Sequence, residues 1–393
     1  MRICLPWLLI GALYISLFAP AATGAVLPED RADFMFHGYD GDGLRVGGPS
    51  VLVRKSIADK VSIWGNYYVD SITSASIDVV TTASEYSETR NQTSAGVDYL
   101  RDKTTIGLSY NRSVEGDYEA NSARLGISQD FFGDLTTLGI SYARGWDTIT
   151  RNGDDVFEEE AQHQTWRVDL TQIVSPSLIL SLNYEGISAE GFLNNPYRQV
   201  RFLDPTATRG FSFEAERYPG TRTSSAVALR GLYYLPYRAA LKLEGRYYSD
   251  SWGINAYNTE IAYTHPLEEG VTLDLRYRFY SQTAADFYED LFERSNQQNF
   301  LARDKELATF TSHTAGVGLS FAFDTPGCPL SSGARPACFL TIFFSTTTTS
   351  AISASKTRTW ALSHSTNSMP PSCGRLYRSG FRVSSSTLRT YIR

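Results

Sequence analysis

The chain has 393 residues with a formal charge of −6, 13% aromatic residues and four cysteines. Residues 1–324 carry 28 basic against 42 acidic side chains, so no basic surface is available to displace counterions from a nucleic acid. Cys4 lies in the first segment and Cys328, Cys338 and Cys373 in the last, which excludes a disulfide framework, a thiolate metal site and a cysteine nucleophile from everything between.

The first element is "MRICLPWLLIGALYISLFAPAATGA" (1–25). One Arg, an apolar run from Leu5 to Phe18 and small residues at 21–25 form a secretory signal with cleavage near Gly24 or Ala25. Its apolar run is shorter than the ~20 residues of a spanning helix.

From Ala32 to Phe323 the apolar period is two, which predicts strands with one apolar and one polar face. "GYDGDGLRVGG" (38–48) sets Asp40 and Asp42 among glycines; it reads as a tight turn and lacks the further acids of a calcium loop. "TTIGLSY" (104–110) and "TTLGISY" (136–142) nearly repeat, "LILSLNY" (178–184) follows the same grammar, and "VTLDLRYRFY" (271–280) alternates it over ten residues. Short turns are predicted at 58–59, 101–103, 133–134, 175–177, 235–238 and 268–270. Between them fall longer polar links at about 71–89, 114–119, 148–161, 188–222 and 283–306.

Strands of about 10–13 residues with short turns at one end and long loops at the other predict a transmembrane antiparallel up-and-down β-barrel, all-β, of about fourteen strands. Asp98, Arg124, Arg167, Asp169, Arg230, Lys242, Glu244, Arg246, Glu260, Asp274, Arg276 and Arg278 all fall on the polar face. A lipid-facing Arg or Lys costs about 2–4 kcal/mol at the bilayer midplane, so these charges must line the lumen. Tyr67, Trp146, Tyr233, Tyr247 and Phe279 lie where an interfacial girdle would sit. A soluble β-sandwich or water-soluble barrel is the alternative, but it does not alternate turn lengths in this way.

"YYVDSITSASIDVVTTASEYSETR" (67–90) runs a strand ending in paired tyrosines into a Ser-rich segment, an Asp-Val-Val step and a return strand. In this stretch, and less specifically to about Phe323, the chain resembles a family of predicted outer-membrane barrels of Gram-negative bacteria, the domain-of-unknown-function family 3570. The resemblance implies location and fold, and no activity or catalytic residue. It also implies a further strand ending on an aromatic residue, from which this chain departs after Asp324.

Residues 325–393 contain no Asp or Glu, 25 Ser or Thr and eight Lys or Arg. A disordered Ser/Thr tail, a small domain, and a reading frame that slips near Asp324 all fit this segment, and the slip fits best. The native barrel would then have about sixteen strands. The domain reading is thus a signal at 1–25, a barrel at 26–324 and a tail at 325–393.

Chemistry-bearing motifs are few. His163 and His313 lie near strand ends with no metal-ligand spacing and no nucleophile elbow. "RNGDDVFEEEAQ" (151–162) gathers Asp154, Asp155, Glu158, Glu159 and Glu160, where a divalent cation could bridge to lipopolysaccharide phosphates, or water could simply solvate the acids. The 188–222 link interleaves Arg198, Arg201, Arg209 and Arg217 with aromatics, which suits a lid holding anionic or sugar ligands, or a loop packed on itself.

The leading expectation is a non-enzymatic, porin-like outer-membrane channel for small polar solutes with no cofactor, inserted by the barrel assembly machinery among lipid and lipopolysaccharide. An envelope-assembly barrel holding a partner through its loops, and a barrel lipid hydrolase using His163 or His313, are the alternatives.

Overall fold

A computed structural model describes residues 26–41, 44–74, 86–268, 270–324, 337–351 and 361–367. The expected signal at 1–25, Asp42 of the Asp40/Asp42 turn and the tail's cysteines at 328 and 373 lie outside the described residues, as do the side chains of Asp40 and Cys338. Among the described residues, no helix is long and apolar enough to cross a membrane.

The strands are β1 (Arg31–Gly41), β2 (Leu44–Ile57), β3 (Val61–Ser74), β4 (Tyr86–Arg101), β5 (Thr104–Val114), β6 (Tyr118–Phe131), β7 (Thr136–Arg151), β8 (Asp154–Ser175) and β9 (Leu178–Gly191). After them come β10 (Gln199–Leu203), β11 (Phe211–Ala215), β12 (Thr221–Tyr234), β13 (Ala240–Asp250), β14 (Asn255–Glu268), β15 (Val271–Gln282), β16 (Phe310–Asp324), β17 (Ala337–Ala351) and β18 (Ala361–Asn367). All but β10 and β11 form one antiparallel sheet in chain order, in which β9 pairs with β12. Its two ends meet where Asp33 stands opposite Asn367 and Phe34 opposite Thr366. β10 and β11 form a separate hairpin between β9 and β12.

Fourteen of the sheet strands precede residue 325, matching the sequence period. Two more, β17 and β18, fall in the tail, where the sequence reading expected no regular strand. Ladder pairing is made by backbone groups, and "FLTIFFSTTTT" is rich in the β-branched and aromatic residues that favour extended chain. β17 therefore pairs with β16 along its whole length, from Phe310↔Ala351 to Asp324↔Ala337.

Alternation divides the sheet into two faces. Val53, Ile63, Leu108, Leu125, Ile140, Leu182, Leu229, Leu243 and Ile261 stand exposed on the outer face. Tyr67, Trp146, Tyr233 and Tyr247, expected as girdle residues, are exposed on that face as well. The inner face carries the charged residues and encloses a cavity against β4–β8.

Short turns close one end. Ala58 and Asp59 take φ of 50° and 54° between β2 and β3, Asp102 takes 54° between β4 and β5, and Gly270 takes 82° between β14 and β15. These left-handed values suit two-residue hairpins whose twist matches that of the strands.

The opposite end departs from expectation at 148–161. Instead of a long loop, β7 and β8 continue as a ladder to a tight turn at Asn152–Gly153, with Thr148 opposite Glu160 and Ile149 opposite Glu159. The apolar period ends before the ladder does, because a strand in water needs no apolar face to satisfy its backbone. The 188–222 link also begins later than expected, at Phe192, since β9 runs to Gly191.

Gly191 sets that exit. Its φ is 110°, its N–H donates to Gly220 O at 2.9 Å, and a Cβ there would sit 2.3 Å from Glu160 O. Gly191→Ala is expected to lower the unfolding free energy of the refolded protein by roughly 1–3 kcal/mol, measured as a shift of the urea midpoint followed by tryptophan fluorescence. Gly133→Ala, at a hairpin turn with no atom within 4 Å of the added Cβ, should cost less.

Candidate functional site

The inner faces of β8–β15 carry a continuous ladder of charge. Arg230 Nε donates to Glu244 Oε2 at 2.8 Å, Lys242 Nζ reaches Glu244 at 3.1 Å and Glu260 at 2.9 Å, and Arg276 Nε lies 3.7 Å from Glu260. A second branch links Arg167 Nε to Glu185 Oε2 at 2.6 Å, and Arg246 Nη2 to Glu185 Oε1 at 3.0 Å across the intervening strand β12. Register explains these pairs: Arg230 faces Glu244, Glu244 faces Glu260, and Glu260 faces Arg278 across adjacent strands. Asp274 accepts from Thr264 Oγ1 at 2.6 Å, and Arg278 lies over the Tyr280 ring at 5.8 Å. Sequence periodicity placed these residues on one face; Glu185, which joins two arginines, was missed because its partners lie on different strands.

The facing wall, β2–β8, is built differently. Arg54 Nη1 donates to Asp98 Oδ2 at 2.6 Å and to Ser62 Oγ at 3.2 Å, and its guanidinium stands 5.6 Å from the Trp64 ring. The Trp64 indole lies over Gly96, where a Cβ would be 2.6 Å from the ring. Gly107, Gly126 and Gly139 continue the small-residue surface and leave a cavity of about 400 Å³ that Arg124 and Asp169 also line.

Nearer the outer end lies a buried polar knot that the sequence did not reveal. Asp70 is fully buried, accepts from His37 Nε2 at 2.6 Å and pairs with Arg90, while Tyr68 Oη lies 3.0 Å from His37 Nε2 and stacks its ring on the imidazole at 4.6 Å. The alternation of "YYVD" places Tyr68 and Asp70 on one face, but their partners come from β1 and β4.

At the end of the sheet opposite the short turns, the 192–220 link and the 283–309 link fold together into a cap. Val200, Phe292 and Leu301 are fully buried between them. Each such side chain contributes about 1.5–3 kcal/mol. Backbone bonds stitch the two links: Leu203 N–H to Phe292 O at 2.9 Å, Phe292 N–H to Arg201 O at 2.9 Å, and Arg217 N–H to Leu301 O at 2.9 Å. A second cluster of Trp252, Ile254, Ala285, Phe287, Ala302 and Leu307 packs on Tyr218 and Tyr248.

This cluster is anchored to the inner face of the sheet. Arg222 stacks on Trp252 at 4.3 Å and donates to Asp250 Oδ2, while Gln282 Nε2 donates to Glu306 O at 2.7 Å and Ala308 O at 2.8 Å. The cap thus folds inward over β12–β15. Glu216 sits within it, accepting from Tyr218 Oη at 2.6 Å and from Arg303 N–H at 2.8 Å. Burial pushes the Glu216 carboxyl above its ordinary range, and burial beside that carboxylate pushes the Tyr218 phenol up as well.

Of the four arginines proposed as ligand holders, Arg198 is committed to an ion pair inside the cap, and Arg201 and Arg217 are held there by backbone carbonyls. Arg198 pairs with Asp304 at 2.8 Å, Arg201 donates to Asp290 O at 3.4 Å and lies over Phe211, and Arg217 donates to Gln298 O at 3.5 Å. Arg209 stands exposed near the tip of the β10–β11 hairpin. The aromatics pack the link onto its neighbour, a pairing with 283–309 that no local pattern announced.

The two histidines weighed for hydrolysis do not meet. His163 is on the inner face, its Nδ1 3.5 Å from Asp147 Oδ2, whereas His313 is exposed on the outer face with its Nδ1 2.8 Å from Tyr277 Oη. The acids at 154–160 are also dispersed. Asp154 pairs with Arg151, and Glu158, Glu159 and Glu160 alternate along β8. The grouping of acids that does form among the described residues is Glu88, Glu115 and Asp117, whose carboxylate oxygens lie within 4.8 Å of one another.

No curated protein matches the chain in sequence. Among solved structures it is similar to the siderophore receptor PirA from Pseudomonas aeruginosa, at 11% identity and a TM-score of 0.43, over 86% of this chain and 60% of that one. PirA from Acinetobacter baumannii gives 12% identity and a TM-score of 0.43, over 88% and 58% respectively. A monoaromatic hydrocarbon channel, CymD, gives 7% identity and 0.39, over 65% and 85%. The chain thus spans about three fifths of the length of these receptors. The family model described as "Protein of unknown function (DUF3570)" matches residues 81–327, beginning inside the 67–90 stretch that carried the resemblance, and the chain belongs to that family.

Proposed function

We propose that the protein is a non-enzymatic outer-membrane β-barrel, exported by a cleaved signal, whose lumen is a restricted pore for small polar solutes. The observation that carries this reading is the division of one sheet into an exposed aliphatic face and a charged inner face that encloses a cavity. Barrels of sixteen to eighteen strands enclose an aqueous channel, whereas eight-stranded ones are filled by side chains. The cap, fixed to the inner face by Gln282 and Arg222, narrows the outer mouth. Lipid and lipopolysaccharide are the surroundings the outer face suits.

Purified, refolded protein in a planar bilayer should show discrete single-channel openings, and their complete absence would overturn the pore in favour of a barrel that anchors a partner. The ladder makes selectivity testable. Glu260 faces both Lys242 and Arg276, so Glu260→Gln, which removes a negative charge, should shift the reversal potential in a salt gradient toward anion preference. Because the two links share one core, shortening both 192–220 and 284–308 should raise conductance, whereas deleting either alone should expose the other's aromatics and destabilise the barrel.

The cap should also respond to pH through Glu216. Its carboxyl holds a proton more tightly when the cap is packed than when it is solvated. This contribution to packing is complete below the ordinary carboxylate range and is lost as pH rises through the raised value. Hydrogen exchange of the Phe292 and Leu301 amides, corrected for intrinsic rates, should accelerate from mildly acidic to mildly alkaline pH. Glu216→Gln should flatten that dependence.

A further inference from the structure

We infer that the cavity against β4–β8 binds a small zwitterion, of the size and charge separation of an α-amino acid. Two opposite charges line it without meeting. Arg124 of β6 donates through Nη2 to Ser141 Oγ at 3.1 Å, and Asp169 of β8 accepts from Asn183 Nδ2 at 2.6 Å through Oδ1. Among the described residues, neither has an oppositely charged group within ion-pair distance. Each is held in place by a neutral hydrogen-bond partner, so its position is fixed while its charge remains available.

Register makes them neighbours. Ser141 stands opposite Arg167 and Gly139 opposite Asp169, so Asp169 is the diagonal neighbour of the serine that holds the Arg124 guanidinium. Diagonal neighbours are about 7–8 Å apart across a strand pair. The guanidinium held on that serine and the Asp169 carboxylate are thus neighbours on one face, placed for the carboxylate of an α-amino acid to meet Arg124 and its ammonium to meet Asp169. Arg167, the nearest other cation by register, is engaged with Glu185.

Space and net charge agree with this ligand class. Between the two charges, Gly139 and Gly126 present no side chain, and the cavity of about 400 Å³ lies near the lower end of the ~300–1,000 Å³ of small-molecule sites. The other charged residues lining it, Arg54 and Asp98, neutralise each other at 2.6 Å. The four charges therefore sum to zero. A net anion would gain Arg124 but face two carboxylates, and a net cation would gain Asp169 but face two guanidiniums; a zwitterion meets both free charges with the right sign.

This inference rests on the solvent-filled lumen of the pore reading, and equilibrium binding separates the two. Full-length refolded protein in detergent is dialysed to equilibrium against radiolabelled L-alanine, L-alaninamide and N-acetyl-L-alanine, which carry both charges, the positive one and the negative one. L-Alanine should bind saturably and at least tenfold more tightly than either single-charge probe. Arg124→Gln and Asp169→Asn should each weaken L-alanine binding at least tenfold while the heat-modifiable gel mobility of the folded barrel is retained.

Equal binding of all three probes, no saturable binding by protein of folded mobility, or affinity unchanged in both variants would overturn the assignment. Should a variant fail to fold, Asn183→Ala, which frees Asp169 without removing its charge, serves in its place: weakened binding supports the site and unchanged affinity overturns it. A protein that conducts without binding L-alanine loses this inference alone; one that binds without conducting loses the pore.

Discussion

The structure depends on the two-residue period of the extended chain. Backbone N–H and C=O groups point sideways into neighbouring strands, while side chains go alternately to the two faces. The first fact requires every strand to find a neighbour, and the second allows every charge to share a face. From β8 to β15 the chain meets both requirements without exception at its ladder: Arg167, Glu185, Arg230, Lys242, Glu244, Arg246, Glu260 and Arg276 all fall at inner positions. A slip of one residue in any of these strands would turn its charges onto the aliphatic face. The register is therefore fixed by the same charges that define the lumen.

Beyond the sheet this constraint lifts, and a different one takes over. The cap is made of irregular chain, which must find hydrogen-bond partners and bury enough apolar surface to hold one shape. Neither link supplies a core alone. Phe292 of one is enclosed by Val200 and Phe202 of the other, and Phe287 meets Trp252 from a third connection at 5.3 Å. This division of one core among separate segments gives the cap a rigid inward position that an isolated loop of that length would lack.

The fold was legible in the sequence because it is written in a local signal. Fourteen strands, the short turns and the one face that the twelve charged candidates share follow from alternation within each strand. What was not legible depends on partners distant in the chain. Arg198 looked like a ligand holder until Asp304 appeared 2.8 Å away, and Asp70 carried no sign of the His37 and Arg90 that enclose it. The extension of β7 and β8 past the apolar pattern was hidden for the opposite reason, since pairing there needs no periodic signature. β17 shows the same independence, forming a ladder from a Thr-rich and aromatic run outside the acidic body.

The two walls of the inner face also differ in how much space they leave. Strand number sets the enclosed cross-section, and side-chain volume decides how much of it stays open. Along β12–β15 the inner positions hold Arg, Lys, Glu and Tyr, bound to one another and covered at the outer end by the cap. Along β4–β7 they hold Gly96, Gly107, Gly126 and Gly139 with Ser and Thr between, and the cavity lies against this wall. On the adjoining strand β3, Trp64 is accommodated because Gly96 lacks a Cβ, which would sit 2.6 Å from its indole. The open space is consequently eccentric: the filled wall bears the cap, and the glycine wall leaves the cavity that Arg124 and Asp169 line.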